Sequence, residues 1–456
     1  MPAQRHEAVF DVALPIEQVW RVMADTQHLN QLFFGLAAAE IVDKDADKAT
    51  LRGSFGVLAP EYDEYPWSFE VPRRYHNVRV FKRGVLKRLE TTCVLDDVVV
   101  AGSTRVRYTT DVEGSGIVGA VAARVLLARA RAGLVEIEAL LQKRARGVAL
   151  AAQAQWPPAN PFRDATLARA APLAKAIGFH LSVAEQGILE QLLALIADGA
   201  ESDIARLRPF ELASTWNSPR RETLAVFLRA AKGGLLRLSW DLLCPSCEAP
   251  TTVQSLKDIP ATGHCPACDI DFTANFADNV EATFRPEPQV RQAARLVFCH
   301  GSPASTKSWV AQFVTEPTSS STLSVRLGPG RYRLQAAGQT KGCAFEVLDA
   351  NHVGDELGAS VAATIDDTTL PASLPAVKSV NVVVTVDNRD GRRHRVQLVH
   401  RGFASLAATA ADVSGLGLFR ELFGHEVLAP DQHVDVGRMT ILFTDLVGST
   451  AMYERL

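Results

Sequence analysis

Residues 7–33, EAVFDVALPIEQVWRVMADTQHLNQLF, decide how the first third of the chain is read. EAVFDVAL alternates apolar and polar side chains as a strand does. Pro15, whose ring fixes φ near the helical value, then opens a helix that carries Val19, Trp20, Val22 and Met23 on one side. From Ala39 to about Val112 short strand-like runs follow, broken by turns at Asp43–Asp47 and Ala101–Ser103; TRVRYTTDV at 104–112 alternates cleanly. Ile117 to Arg146 reads as one long helix. Its Val118, Val121, Val125, Ala128, Ala132 and Val135 recur three and four apart, which predicts an apolar stripe lying against the sheet. Strand, helix, antiparallel sheet and long final helix make residues 1–150 an α+β unit.

The whole chain has 456 residues, room for about three domains. A net charge of -3, with 47% hydrophobic and 22% charged residues, excludes a disordered chain, a collagen-like repeat and a generally basic nucleic-acid coat. The opening MPAQRHEAVFDVALP has no apolar core of signal-peptide length, so the expected location is cytoplasmic. Ile117–Leu141 is apolar but interrupted by Arg124, Arg129, Arg131, Glu136 and Glu138, too charged to cross a bilayer. No membrane partner is expected.

LPIEQVWRVMADTQHLNQLF at 14–33, followed by the curved sheet and the long helix, resembles the START-like helix-grip family of polyketide cyclases and lipid-transfer domains. That resemblance implies a possible apolar small-molecule ligand between sheet and helix, lined by Trp67, Phe69, Tyr75, Phe81 and Tyr108. Read from the residues alone, the same aromatics fill a core, as any sheet requires, and this is the preferred reading.

WPPANPF at 156–162 places a linker at 151–164, because proline blocks helix and sheet alike. Residues 165–243 follow as a helical, winged-helix-like region: helix, turn, helix, a Gly233-Gly234 turn and an apolar strand. Ser218 reads as N-cap and Pro219 as the first residue of the second helix. Between Ile204 and Trp240, Arg206, Arg208, Arg220, Arg221, Arg229, Lys232 and Arg237 face only Glu211 and Glu222, a local balance of +5. A DNA-reading helix looks like this, and so does a solvated one. With no wider basic surface and no dimer symmetry, nucleic acid is not the expected partner.

Cys244-Pro-Ser-Cys247 and Cys265-Pro-Ala-Cys268 are separated by 17 residues, the spacing of a zinc ribbon over 244–275. Two knuckles present four thiolates to one ion, suit zinc, and leave no open position for water, so the expected role is structural. His264 is an alternative ligand but reads as a surface histidine. A redox CxxC needs one pair at a helix start, and two matched pairs argue against it. Cys93, Cys299 and Cys343 read as buried, inert thiols. Residues 276–405 return to strands and predict an antiparallel β-sandwich, with hairpins around Gly328–Gly330 and around Asn388–Arg392.

After a connector at 406–437, residues 438–456 contain RMTILFTDLVGST. A buried strand run, an acidic residue at its end, small residues and a helix start would place a carboxylate on a divalent cation and backbone N–H groups on phosphate. This segment resembles the opening strand and helix of the ferredoxin-like class III adenylate/guanylate cyclase catalytic domain. TAADVSGLGLFRELFGHEVLAP at 409–430 resembles the connector of bacterial cyclases in which a helix-grip domain, an uncharacterised zinc-ribbon domain and the cyclase follow in series.

The resemblance implies that Asp445 binds Mg²⁺ or Mn²⁺, that Leu446 offers its carbonyl to the second ion, and that Val447, Gly448, Ser449 and Thr450 lie beneath a nucleoside triphosphate. It implies a homodimer for the full-length protein. It also implies that the sequence to Leu456 is a truncated start lacking the second aspartate, the base-selecting residues and the transition-state Asn/Arg pair, and so is inactive alone. The expectation is a regulatory, sensor portion of a cyclase making cyclic AMP or cyclic GMP. The alternative is a ligand-responsive winged-helix transcription regulator.

Overall fold

A short run of capping geometry fixes the start of the chain. In the computed structural model β1 (Gln4–Val12) leads into α1 (Ile16–Met23), with Pro15 at the N-cap. α2 (Thr26–Phe34) is capped by Asp25, whose side chain accepts from the His28 N–H, and is ended by Gly35 at φ 68°, a left-handed position that suits glycine. The structure describes residues 2–35, 38–44, 48–54, 59–98, 102–146, 160, 162–199, 201–245, 250–265, 270–293, 301–303, 306, 308–337, 342–349, 358–366, 374–377, 381–401, 406–424 and 426.

Seven further strands follow: β2 (Ala38–Lys44), β3 (Ala49–Ser54), β4 (Glu61–Glu64), β5 (Ser68–Glu70), β6 (Arg74–Phe81), β7 (Leu86–Asp97) and β8 (Thr104–Gly114). Their order is β1-β8-β7-β6, with β6 pairing both β5 and β4, and β4-β3-β2 continuing the edge; every pairing is antiparallel. The long helix α3 (Gly116–Ala145) lies across β1, β8 and α2.

The helix is where it was expected, but its buried face is not. Gly119, Ala120, Ala123, Ala130, Gly133, Leu134, Ile137 and Leu141 face inward. All six residues of the expected stripe, Val118, Val121, Val125, Ala128, Ala132 and Val135, are exposed. Close approach decides the face: a Cβ on Gly133 would lie 2.6 Å from Phe33 Cδ1, and one on Gly119 2.3 Å from the Val85 carbonyl oxygen. Small side chains let the helix sit directly on the sheet and α2, whereas valines would hold it off.

The middle unit contains α4 (Arg163–Gly178), α5 (Val183–Asp198), α6 (Glu201–Ile204), α7 (Pro209–Thr215), α8 (Arg220–Lys232) and β9 (Leu236–Leu243). β10 (Pro250–Val253), β11 (Thr262–Cys265), β12 (Ile270–Thr273) and β13 (Val280–Pro286) complete it. β9 is flanked by β10 and β13, and an isolated bridge from Leu207 to Phe284 adds a further edge. Helix, turn, helix and strand pair follow as the sequence implied, with Pro219 rather than Ser218 at the N-cap of α8. β13 belongs to this sheet, so 276–286 leaves the expected sandwich. The cysteine-rich segment is an insertion between β9 and β13, with β11 and β12 pairing alone.

The last β unit has β14 (Trp309–Thr315), β15 (Ser319–Arg326), β16 (Gly330–Ala336), β17 (Cys343–Val347), β18 (Ser360–Ile365), β19 (Asn381–Asn388) and β20 (His394–His400). It is a sandwich, but the two expected hairpins are not in it. β15 pairs β19, whereas β16 pairs β17 and β20, so the turns at Gly328–Gly330 and Asn388–Arg392 are corners between two sheets. Alternation alone cannot distinguish these, because either strand of a corner keeps a buried face. β18 and β19 run parallel, so the sandwich is mixed rather than wholly antiparallel.

One sheet of the sandwich also continues into the first unit. Ala311 and Gln312 of β14 pair with Glu70 and Phe69 of β5, giving a 12-stranded sheet. α9 (Ala410–Ser414), capped reciprocally by Thr409 and Asp412, and α10 (Gly417–Leu422) then return to the middle unit. Among the described residues no helix is long and apolar enough to cross a membrane.

Candidate functional site

The inward face of β6 builds the clearest site. Tyr75, Asn77 and Arg79 alternate inward, and Val78 and Val80 take the other side of the pleat. Arg79 Nε donates to Glu64 Oε1 of β4 at 3.0 Å, its NH1 donates to Asn30 Oδ1 of α2 at 2.9 Å, and its guanidinium lies 5.6 Å from the Tyr62 ring centre. The two charged side chains are 5% and 0% exposed. Removing an ion pair from water costs several kcal/mol per ion, which only this geometry and the added amide bond offset. Beside the pair, Phe34, Tyr62, Arg79, Phe81, Leu86, Leu89 and Leu126 line a small, partly open cleft of about 30 Å³. It lies between the sheet and α3.

The lining of this cleft is apolar with one polar end. Arg79 is the single charged lining group, and no lining residue offers a general acid/base pair or a nucleophile. Of the five aromatics considered above, Phe81 alone lines it. Trp67, Phe69, Tyr75 and Tyr108 are core: Trp67 and Tyr75 ring centres are 5.6 Å apart, Phe33 and Tyr108 5.3 Å, all with inclined planes. Burial holds the Tyr75 hydroxyl well above its usual pKa range. Sequence reading missed Arg79, Glu64 and Asn30. A period of two along β6 puts Tyr75, Asn77, Arg79 and Phe81 on one face, and that is the signal the sequence offers.

At the expected ribbon, Cys244 follows β9 and Cys265 ends β11. Both are buried, and they share one packed cluster with Ile270. Cys247 and Cys268 lie outside the described residues, so the four thiols are not seen together. His264 is exposed, with Nδ1 3.0 Å from Asp271 Oδ1. Among the other thiols, burial pushes Cys343 up to about 11 and Cys93 well above the thiol range, so neither is a thiolate near neutrality. Cys299 lies outside the described residues.

The basic region is largely neutralised from outside the window in which its charge was counted. Arg206 contacts Asp241 at 2.5 Å and Glu281 at 2.7 Å; Arg208 contacts Glu281 at 2.7 Å and Glu211 at 3.0 Å. Arg229 meets Glu185 at 2.7 Å, and Arg237 meets Glu287 at 2.9 Å. Arg220 lies 5.3 Å from the Phe210 ring centre. Four of the seven cations are thus structural ties of the unit and not a phosphate-binding strip.

The connector is docked rather than loose. Phe419 of α10 packs edge-on to Trp240 of β9 at 6.0 Å, and Glu426 accepts from Ser255 Oγ at 3.0 Å and the Leu256 N–H at 2.9 Å. Asp445, Leu446, Val447, Gly448, Ser449 and Thr450 lie outside the described residues.

With the geometry in place, residues 9–144 match the family model of CoxG, a carbon monoxide dehydrogenase component, and residues 175–296 match a family of unknown function (DUF5939). No curated protein matches the chain. Among solved structures, a START superfamily protein from Mycobacterium smegmatis is 12% identical, covering 31% of this chain and 97% of that one, with a TM-score of 0.23. A conserved protein from Geobacillus kaustophilus is 19% identical over 32% and 96%, TM-score 0.24. The Zhui aromatase/cyclase from Streptomyces sp. R1128 is 17% identical over 32% and 99%, TM-score 0.24. The first unit is a CoxG/START-like helix-grip domain, set in a multidomain α+β chain.

Proposed function

We propose that this chain is the sensor and transmission region of a class III nucleotide cyclase, which makes cyclic AMP or cyclic GMP from ATP or GTP in signal transduction. The observation that carries the reading is the run ILFTDLVGST at 441–450, placed after a connector in a chain that begins with a helix-grip unit. The helix-grip pocket takes a small apolar ligand whose polar end meets Arg79. The sheet shared by β5 and β14 and the connector docked on Trp240 are the routes by which occupancy is passed on.

Cys244, Cys247, Cys265 and Cys268 hold a structural zinc in this reading, and its binding free energy is folding free energy of the insertion. Asp445 and the Leu446 carbonyl would hold Mg²⁺ or Mn²⁺, hard cations that oxygen donors suit. Bound there, the ions orient a triphosphate and neutralise its charge, with residues 447–450 beneath it. The full-length protein acts as a homodimer. The engaged arginines of the middle unit weigh against the transcription-regulator alternative.

The reading frame beyond codon 456 tests this directly. A second aspartate on a following strand, with an Asn/Arg pair further on, is expected. A stop codon at that point, together with specific binding of the protein to an operator DNA, would favour the transcription regulator and overturn the cyclase.

A further inference from the structure

The stripe that the sheet rejected has a spacing of its own. Val118, Val121, Val125, Ala128, Ala132, Val135 and Ala139 are all exposed on α3, three and four residues apart in strict alternation. A 3.5-residue period is what a second helix requires, not a sheet. Val118, Val125 and Val135 are 69%, 64% and 59% exposed, so the stripe is open along its length. The inward face is already filled by the positions between, so α3 carries a second apolar face that is exposed among the described residues.

The flanking charges say what the second partner is. Arg124 and Arg131 border one side of the stripe with Glu138, and Arg129 and Glu136 border the other. Neither Arg129 nor Arg131 has an acidic residue three or four positions on along its own helix. Each has one seven positions on. Opposite charges so placed are complementary to the same helix turned end for end.

We infer that α3 is a homodimer seam, in which two copies of this chain pair antiparallel about a two-fold axis between Gly133 and Leu134. In that register Ala132 faces the partner's Val135, Ala128 faces the partner's Ala139, Arg129 faces the partner's Glu136, and Arg131 faces the partner's Glu138. No like charges meet. A parallel, in-register pair would set Arg124 against the partner's Arg129. Centring the antiparallel pair one heptad step earlier would set Arg129 and Arg131 each against its own copy. Alanines at the crossing let two helices approach closely, and the overlap from Val125 to Gln142 spans about 27 Å at 1.5 Å per residue. The seam is independent of the nucleotide cyclase reading, since it uses the first unit alone.

Sedimentation equilibrium of the 456-residue chain across the micromolar range tests the seam, with far-UV circular dichroism as the folding control. A dimer is expected. Arg131→Glu, on the exposed face, replaces two attractions with two repulsions and should weaken the dimer on the order of tenfold, from pair energies of up to about 1 kcal/mol each. Adding Glu138→Arg should restore it, because the swapped charges again oppose; in a parallel pair the double variant would be worse than the single. Lys143→Glu should leave the antiparallel dimer unchanged, since it faces the partner's Ala122, whereas a parallel pair would lose its contact with Glu138. Val125→Asp with Val135→Asp should give folded monomer. A monomeric wild type, a dimer indifferent to the valine variants, no recovery in the double charge variant, or a monomer that cosediments with phosphatidylglycerol vesicles through this face would each overturn the inference.

Discussion

Arg79 shows how one side chain organises the helix-grip pocket. Its guanidinium joins β6 to Glu64 on β4 and Asn30 on α2, and forms the polar point of an apolar wall. Arg79→Met should lower unfolding stability by about 3–5 kcal/mol, because the buried Glu64 would lose its guanidinium partner. Arg79→Met with Glu64→Leu should recover most of that loss, since removing both charges removes the desolvation cost as well. Urea denaturation midpoints of the three proteins measure this; a double variant as unstable as the single contradicts the pairing. The pair was within reach of the sequence. Once Tyr75 was placed inward, alternation put Asn77 and Arg79 beside it, but a charged residue between two valines reads as an outward one unless its partner is known, and Glu64 is 15 residues away.

Helix ends and helix faces were legible to different degrees. Ser182 and Glu185 form a reciprocal capping box at the start of α5: Ser182 N–H donates to Glu185 Oε2 at 2.9 Å, and Arg229 of α8 reaches Glu185 Oε1 at 2.7 Å. Burial pushes the Glu185 carboxyl up, but the Ser182 N–H and hydroxyl and the Arg229 guanidinium outweigh it, so it ionises below its ordinary 4.5. A carboxylate with a lowered folded pKa stabilises above the unfolded value, and that contribution disappears as pH falls through the folded one. Glu185→Gln should therefore cost about 1 kcal/mol near pH 7, and the gap from wild type should close as the pH falls below 4.5. Thermal unfolding at a series of pH values reads this out; a gap that widens in acid contradicts it. The faces of α3 were harder. Its extent followed from periodicity, but with two apolar stripes on one helix the packed one is chosen by whether glycine and alanine permit contact, as Gly133 does against Phe33. That choice depends on the surface opposite, which the helix sequence does not contain.

The first unit and the sandwich are joined by a buried row of amides. Gln335 Nε2 donates to Gln397 Oε1 at 2.9 Å, Gln397 Nε2 to Gln312 Oε1 at 3.1 Å, and Gln312 Nε2 to the Trp67 carbonyl at 2.5 Å, from β16 across β20 and β14 to the residue before β5. The last bond spans 245 residues of sequence. Pairing between edge strands of separate domains leaves no local pattern, which is why two domains were legible in the sequence and their common sheet was not. Gln312→Leu should orphan the Trp67 carbonyl and the Gln397 amide at about 1–3 kcal/mol for each group. Hydrogen exchange should then rise in β5 and β20 together, and exchange confined to β14 would contradict a shared sheet. Cyclic nucleotide formation from ATP or GTP with Mn²⁺ by the product of the entire reading frame tests the proposal of a cyclase regulated through this sheet and the docked connector. Product is expected from that protein and none from its Asp445→Ala variant; no product from the intact protein, or product unaffected by Asp445→Ala, would contradict the cyclase reading.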